Sequence, residues 1–133
     1  MNAANGALIW TFHADSQVYA SPSVVDNVVY VNSDNGTVYA LKASVGSEIW
    51  QINIGSGTDH EDGSPDVSGG VVYVGARNGY YAFNATDGAK IWFFTSPYSP
   101  RQLTGYFYSS PAIADNVVYC ELPDGYIARV ERF

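Results

Sequence analysis

The densest group of residues able to do chemistry lies between Thr58 and Gly63, Thr-Asp-His-Glu-Asp-Gly, where three carboxylates flank one imidazole. His60, Glu61 and Asp62 precede a predicted strand, and oxygens so grouped suit a hard cation or a basic partner. The plain alternative is a solvated acidic loop: no EF-hand spacing, His-Glu-x-x-His or paired histidines accompany them, so no metal site is predicted. A second stretch, Ser96 to Gly105, sets Arg101 near Tyr98 and Tyr106, residue types enriched where proteins bind one another. Its alternative is a long connector held by Pro97 and Pro100. Tyr19, Asp62 and Tyr108 each stand two residues before the serine of a Ser-Pro pair, so they are predicted to project alike and are candidate ligand- or partner-binding residues.

The other reactive side chains say less. Cys120 aligns with Val31 and Val74 and reads as a small buried apolar residue, and a single cysteine excludes an intrachain disulfide. His13 has no second ligand near it in sequence. Asn35-Gly-Thr and Asn84-Ala-Thr match the glycosylation acceptor pattern, although a hairpin calls for Asn-Gly by itself. No serine or cysteine nucleophile stands in a recognisable motif, and no catalytic residue is predicted.

These residues hang on a repeat. Ser21-Pro22, Ser64-Pro65 and Ser110-Pro111 each begin a unit, with a Val-Val-Tyr tyrosine (Tyr30, Tyr73, Tyr119) and then a turn glycine (Gly36, Gly79, Gly125) at constant spacing. A unit of roughly 40 to 45 residues holding several short strands is the mark of a propeller blade. The first is predicted as four strands, 18–25, 28–32, 37–42 and 47–52, separated by Asx- and glycine-rich turns. Runs such as Val-Val-Tyr-Val are apolar on both alternating faces, as a sheet between two others requires. From Trp10 to Pro22, Trp50 to Pro65 and Trp92 to Pro111 the spacing grows from 12 to 15 to 19 residues, so variation concentrates between the outer strand of one blade and the inner strand of the next. Variable loops on a rigid scaffold are where binding usually lives, and 53–63 and 95–106 are such loops.

The units resemble the repeats of pyrroloquinoline-quinone (PQQ)-type β-propellers, with Ser-Pro-x-Val, Val-Tyr-Val, Gly-x-x-Tyr-Ala-Leu and a closing glycine and tryptophan. The resemblance covers nearly the whole chain. Its tryptophan-docking motif maps onto Ala40, Gly46 and Trp50, and onto Ala82, Gly88 and Trp92; Lys42 and Asn84 replace its aspartate, and Val45 and Asp87 its threonine. Gly6 to Trp10 matches the end of the same motif, and Ala128 aligns with its beginning. The resemblance implies an all-β propeller of four-stranded antiparallel blades, three blades' worth of strands in circularly shifted order. The predicted organisation is a lone outer strand at 6–13, blades at 18–52 and 62–95, and three strands of a further blade at 106–130. Trp10, Trp50, Trp92, Gly46 and Gly88 are the expected docking residues between blades. Because propellers have about 4 to 8 blades, two readings stand open: a homodimer closing a six-bladed ring by strand exchange, or a fragment of a longer propeller.

Composition adds limits. The chain has 133 residues, 47% of them hydrophobic and 15% aromatic, which suits one folded unit with a core. A formal charge of −7, with six basic residues scattered, speaks against nucleic acid as a partner. Residues 1–5 carry no signal peptide or membrane anchor, and no membrane insertion is expected. The family's dehydrogenases hold the quinone over calcium and cap it with a disulfide between adjacent cysteines, which one cysteine cannot make. The resemblance therefore implies a non-catalytic binding or scaffold module with a protein partner, no cofactor and an extracellular, cell-surface or periplasmic location. The alternatives are a fragment or half-ring relative of a quinoprotein dehydrogenase, using PQQ with calcium, and a structural spacer of a large cell-surface protein.

Overall fold

The computed structural model describes residues 2–54, 64–76, 79–94, 112–115, 117–121 and 127–131. All of its regular elements are strands. The first sheet is β1 (Ser23–Val25), β2 (Val28–Asn32), β3 (Thr37–Lys42) and β4 (Glu48–Asn53), paired antiparallel in that order. The second repeats it with β5 (Asp66–Ser68), β6 (Val71–Ala76), β7 (Gly79–Asn84) and β8 (Lys90–Phe94). The third has β9 (Ala112–Ala114), β10 (Val117–Glu121) and β11 (Ile127–Glu131).

Local chemistry sets the strand ends. Asp26 and Asn27 both take positive φ, as do Gly69 and Gly70 at the equivalent place, which is what a two-residue hairpin turn needs. The inner strands are shorter than the 18–25 expected for the first: β1 and β5 each begin just after a proline, which has no N–H to give a ladder. The β3–β4 turn closes through the backbone, with Gly46 N–H donating to the Lys42 carbonyl at 2.8 Å; the β7–β8 turn repeats this with Gly88 N–H and the Asn84 carbonyl at 2.8 Å and adds side-chain bonds, Asn84 Oδ1 and Asp87 Oδ1 accepting from Thr86 and Ala89 N–H. A lysine can therefore stand where the resemblance implies aspartate. The turn forms either way.

Packing follows the apolar runs. One face of the first sheet (Tyr30, Val38, Ala40, Trp50) forms a buried cluster with one face of the second (Val72, Val74, Tyr81, Phe83). The second sheet's other face (Tyr73, Tyr80, Ala82) packs with Val118 and Cys120 of the third. The middle sheet is thus buried on both sides, which is why β6 and β7 show no polar alternation. Ser23 Oγ–H also donates to the Pro65 carbonyl across the first boundary.

Two observations differ from the sequence reading. Residues 7–14 belong to no strand ladder among the described residues; they lie against the outward face of the first sheet, where Trp10, Phe12 and Ala14 pack on Val31, Tyr39 and Leu41. In the third sheet Tyr119 pairs with Arg129, whereas Tyr30 pairs with Ala40 and Tyr73 with Ala82. Ala128 is therefore one place out of register with Ala40 and Ala82. A one-residue slip sends every side chain of a strand to the opposite face, and Ala128 accordingly packs toward the second sheet.

Candidate functional site

Of the residues singled out for binding, Tyr19 is described: it is 53% exposed, and its hydroxyl donates to Gln17 Oε1 at 2.6 Å. His60, Glu61, Asp62, Arg101 and Tyr108 lie outside the described residues, as do the loops that carry them. The connection from Trp10 to Pro22, the first of the three variable loops, lies wholly within the described residues.

Its anchor is Asp15, which sequence spacing does not reveal. The carboxylate accepts from Ser33 Oγ at 2.7 Å, Asn35 Nδ2 at 2.9 Å and Thr37 Oγ1 at 2.6 Å. The Asp15 backbone N–H donates to the Tyr39 hydroxyl at 3.0 Å, and Asn53 Nδ2 donates to Thr37 Oγ1 at 3.0 Å. Asp34 N–H donates to the Gln17 carbonyl at 2.7 Å, tying the far side of the same loop. The loop is thereby fastened to the β2–β3 hairpin at both edges.

Electrostatics fit an anchor. Partial burial pushes the Asp15 carboxyl up, but hydrogen bonds led by Thr37, Ser33 and Asn35 outweigh it and hold the pKa at about 2. A carboxylate so saturated is a poor proton acceptor near neutral pH, so its chemistry is positioning. Burial pushes the Cys120 thiol up to about 12, which keeps it protonated and unreactive. Among the described residues there is no group of three or more His, Cys, Asp or Glu that could hold a metal ion. Asn35, in one glycosylation pattern, spends its amide on Asp15; Asn84, in the other, accepts from Thr86 N–H at 2.8 Å.

Beside this loop lies an open cavity of about 760 Å³, lined by Trp10, Phe12, His13, Val29, Val31 and Leu41 among others. It is the outward apolar face of the first sheet, partly covered by the 10–14 segment.

The tryptophans bridge blades. Trp10 Nε1–H donates to the Ala43 carbonyl and Trp50 Nε1–H to the Ala85 carbonyl, each at 2.8 Å. Their rings lie where Gly46 and Gly88 would carry a side chain, since a Cβ there would meet the indole Cε3 at 2.5 and 2.7 Å. Each tryptophan sits on the glycine of the following unit. A bulge between Ala40 and Leu41, repeated between Ala82 and Phe83, leaves Ile49 and Ile91 without ladder partners beside Trp50 and Trp92, and such bulges re-aim neighbouring side chains. Trp50 also packs against Tyr30 and Trp92 against Tyr73, with ring centroids 6.1 and 5.9 Å apart.

A family model described as outer membrane protein assembly factor BamB matches residues 1–132. The assembly factor BamB of Salmonella typhimurium is 34% identical over 102 residues, 71% of this chain and 24% of its own length. A tetrathionate hydrolase of Acidithiobacillus ferrooxidans is 28% identical over 119 residues, 89% of this chain and 23% of its own. A quinohemoprotein alcohol dehydrogenase of Comamonas testosteroni is 33% identical over 106 residues, 69% of this chain and 15% of its own. Among solved structures, BamB from Moraxella catarrhalis superposes with a TM-score of 0.76 at 21% identity, covering 95% of this chain and 37% of that one, a likeness of fold. The chain spans about a quarter of the length of the first two relatives.

Proposed function

The chain belongs to the PQQ-repeat propeller family whose model is described as outer membrane protein assembly factor BamB, and from that premise we propose that it is a non-catalytic, protein-binding scaffold module. The observation that carries this reading is the match of the assembly-factor model over residues 1–132, supported by 34% identity to one such factor over 71% of the chain. The Asp15-anchored loop supports it in physical terms. A connection fastened at both edges loses little freedom when a partner docks, and it presents the exposed Tyr19, an amphipathic ring of the kind enriched at protein contacts. The equivalent connections, 53–63 and 95–106, belong to the same proposed face. Work at the outer membrane, outside the cytoplasmic compartment, is part of the proposal by extension from the relatives' name.

A second reading rests on the 33% identity to the quinohemoprotein alcohol dehydrogenase. Titrating PQQ with calcium into the chain in a calorimeter separates the two. The scaffold reading expects no saturable heat. A stoichiometric, saturable heat overturns it in favour of a quinoprotein module.

A further inference from the structure

The anchor of the Asp15 loop contains an asparagine followed by glycine, a pair with chemistry of its own. Asn35 is exposed between β2 and β3, and Gly36 after it takes a left-handed φ of 89° that favours glycine. An asparagine amide is thermally labile. A following residue without a Cβ leaves its backbone nitrogen free to reach the side-chain carbon, so the pair is prone to lose ammonia.

The folded hairpin holds both reacting groups. The leaving nitrogen, Asn35 Nδ2, donates to Asp15 Oδ2 at 2.9 Å. The attacking nitrogen, that of Gly36, gives its N–H to the Ser33 carbonyl at 3.0 Å, and the Gly36 carbonyl accepts from Ile54 N–H at 2.9 Å. Asn35 Oδ1 stands 2.7 Å from Ser33 Oγ and 3.4 Å from Thr37 Oγ1, the same two hydroxyls that reach Asp15. Each hydroxyl has one proton to give. The Asn35 amide is therefore the side-chain donor that Asp15 shares with no other acceptor in the cluster.

We infer that Asn35 is a deamidation site which Asp15 holds in check, and that its conversion to a carboxylate unfastens the loop. In the reaction the Gly36 nitrogen loses its proton and bonds to Asn35 Cγ, the Cγ–Nδ2 bond breaks, and ammonia leaves carrying an equivalent proton. Water then opens the cyclic imide at either carbonyl, giving aspartate or isoaspartate; nothing is oxidised or reduced. The aspartate product has an oxygen in place of Nδ2, beside Asp15 Oδ2. Two carboxylates then compete for the Ser33 and Thr37 hydroxyl protons, and like charges so placed repel. Isoaspartate lengthens the backbone inside a turn whose closure depends on Gly36 N–H and Ser33 N–H. The consequence for Tyr19 and a docked partner rests on the scaffold reading; the conversion and the loss of the anchor are measured without any partner, so either idea can fail alone.

The test follows aspartate and isoaspartate at Asn35 by peptide mass spectrometry while the chain is incubated at mildly alkaline pH. Asn78, in the other Asn-Gly pair of the sequence, is the reference within each sample. Asp15→Ala is expected to speed conversion at Asn35 roughly tenfold, the scale of one hydrogen bond to a charged group, and to leave Asn78 unchanged. An unchanged rate at Asn35, or a rise that Asn78 shares in the same proportion, overturns the protective role. Asn35→Asp makes the product directly and is expected to lower the thermal midpoint. Adding Asp15→Asn to it restores one amide facing one carboxylate, with the roles exchanged, and should recover most of the loss. An Asn35→Asp chain as heat-stable as the unaltered one, or a double variant no more stable than Asn35→Asp alone, overturns the loss of the anchor.

Discussion

Trp50 lies across the first blade boundary on Gly88: its indole N–H donates to the Ala85 carbonyl at 2.8 Å, and its ring fills the space a Gly88 side chain would need. Trp10 and Gly46 repeat the relationship one blade earlier. Docking of one blade on the next is thus written into a residue that has no side chain.

Gly88→Ala therefore meets two penalties, a positive φ of 75° and a Cβ at 2.7 Å from the indole. Urea unfolding is expected to show a loss of about 2 kcal/mol or more, the scale of overpacking combined with a left-handed alanine. Trp50→Phe keeps most of the ring but drops the N–H, and should lose on the order of 1 kcal/mol for the orphaned carbonyl as well as contact area. Equal stability of Gly88→Ala and the unaltered chain would contradict the docking geometry.

Asp15 gives a pH signature. Its carboxyl sits at about 2 in the folded chain against an ordinary 3.8, so the folded state holds the proton more weakly than the unfolded one. Its contribution is complete above pH 4 and lost as pH falls toward 2. Asp15→Asn should flatten this part of the stability profile and cost on the order of 1 kcal/mol at neutral pH, a value kept small by screening at an exposed site. Loss of stability measured between pH 4 and 2 that is identical in both proteins would exclude Asp15 as the anchor.

Asn32 is 2% exposed, and its Oδ1 has no hydrogen-bond partner among the described residues. An unpaired buried acceptor destabilises by about 1 to 3 kcal/mol. Asn32→Val, close in size and at home in a strand, should raise the urea midpoint. A lowered midpoint would mean that the amide is satisfied in solution.

Much of this was legible from spacing. The constant intervals from each Ser-Pro to Val-Val-Tyr and the turn glycine placed β2 and β3 at 28–32 and 37–42, because hairpin chemistry and apolar runs are local signals. Asp15 was invisible for the converse reason: its partners Ser33, Asn35 and Thr37 lie about twenty residues away, and a lone aspartate after an outer strand carries no periodicity. Arg129, not Ala128, stands opposite Tyr119 because the third hairpin keeps the ten-residue interval from Tyr30 to Ala40 and not the nine-residue interval from Tyr73 to Ala82. Spacing alone allows either, and a register is decided by which face is buried. Sequence also showed Gly46 and Trp50 as one motif, while the contact joins Trp50 to Gly88 of the next unit.

The most direct test of the scaffold reading is a fluorescence anisotropy titration of the chain against a labelled, urea-unfolded outer-membrane β-barrel protein diluted into buffer, with Tyr19→Ala run beside it. Saturable binding that Tyr19→Ala weakens severalfold is the predicted result. A flat titration up to the solubility limit of the chain would contradict the account.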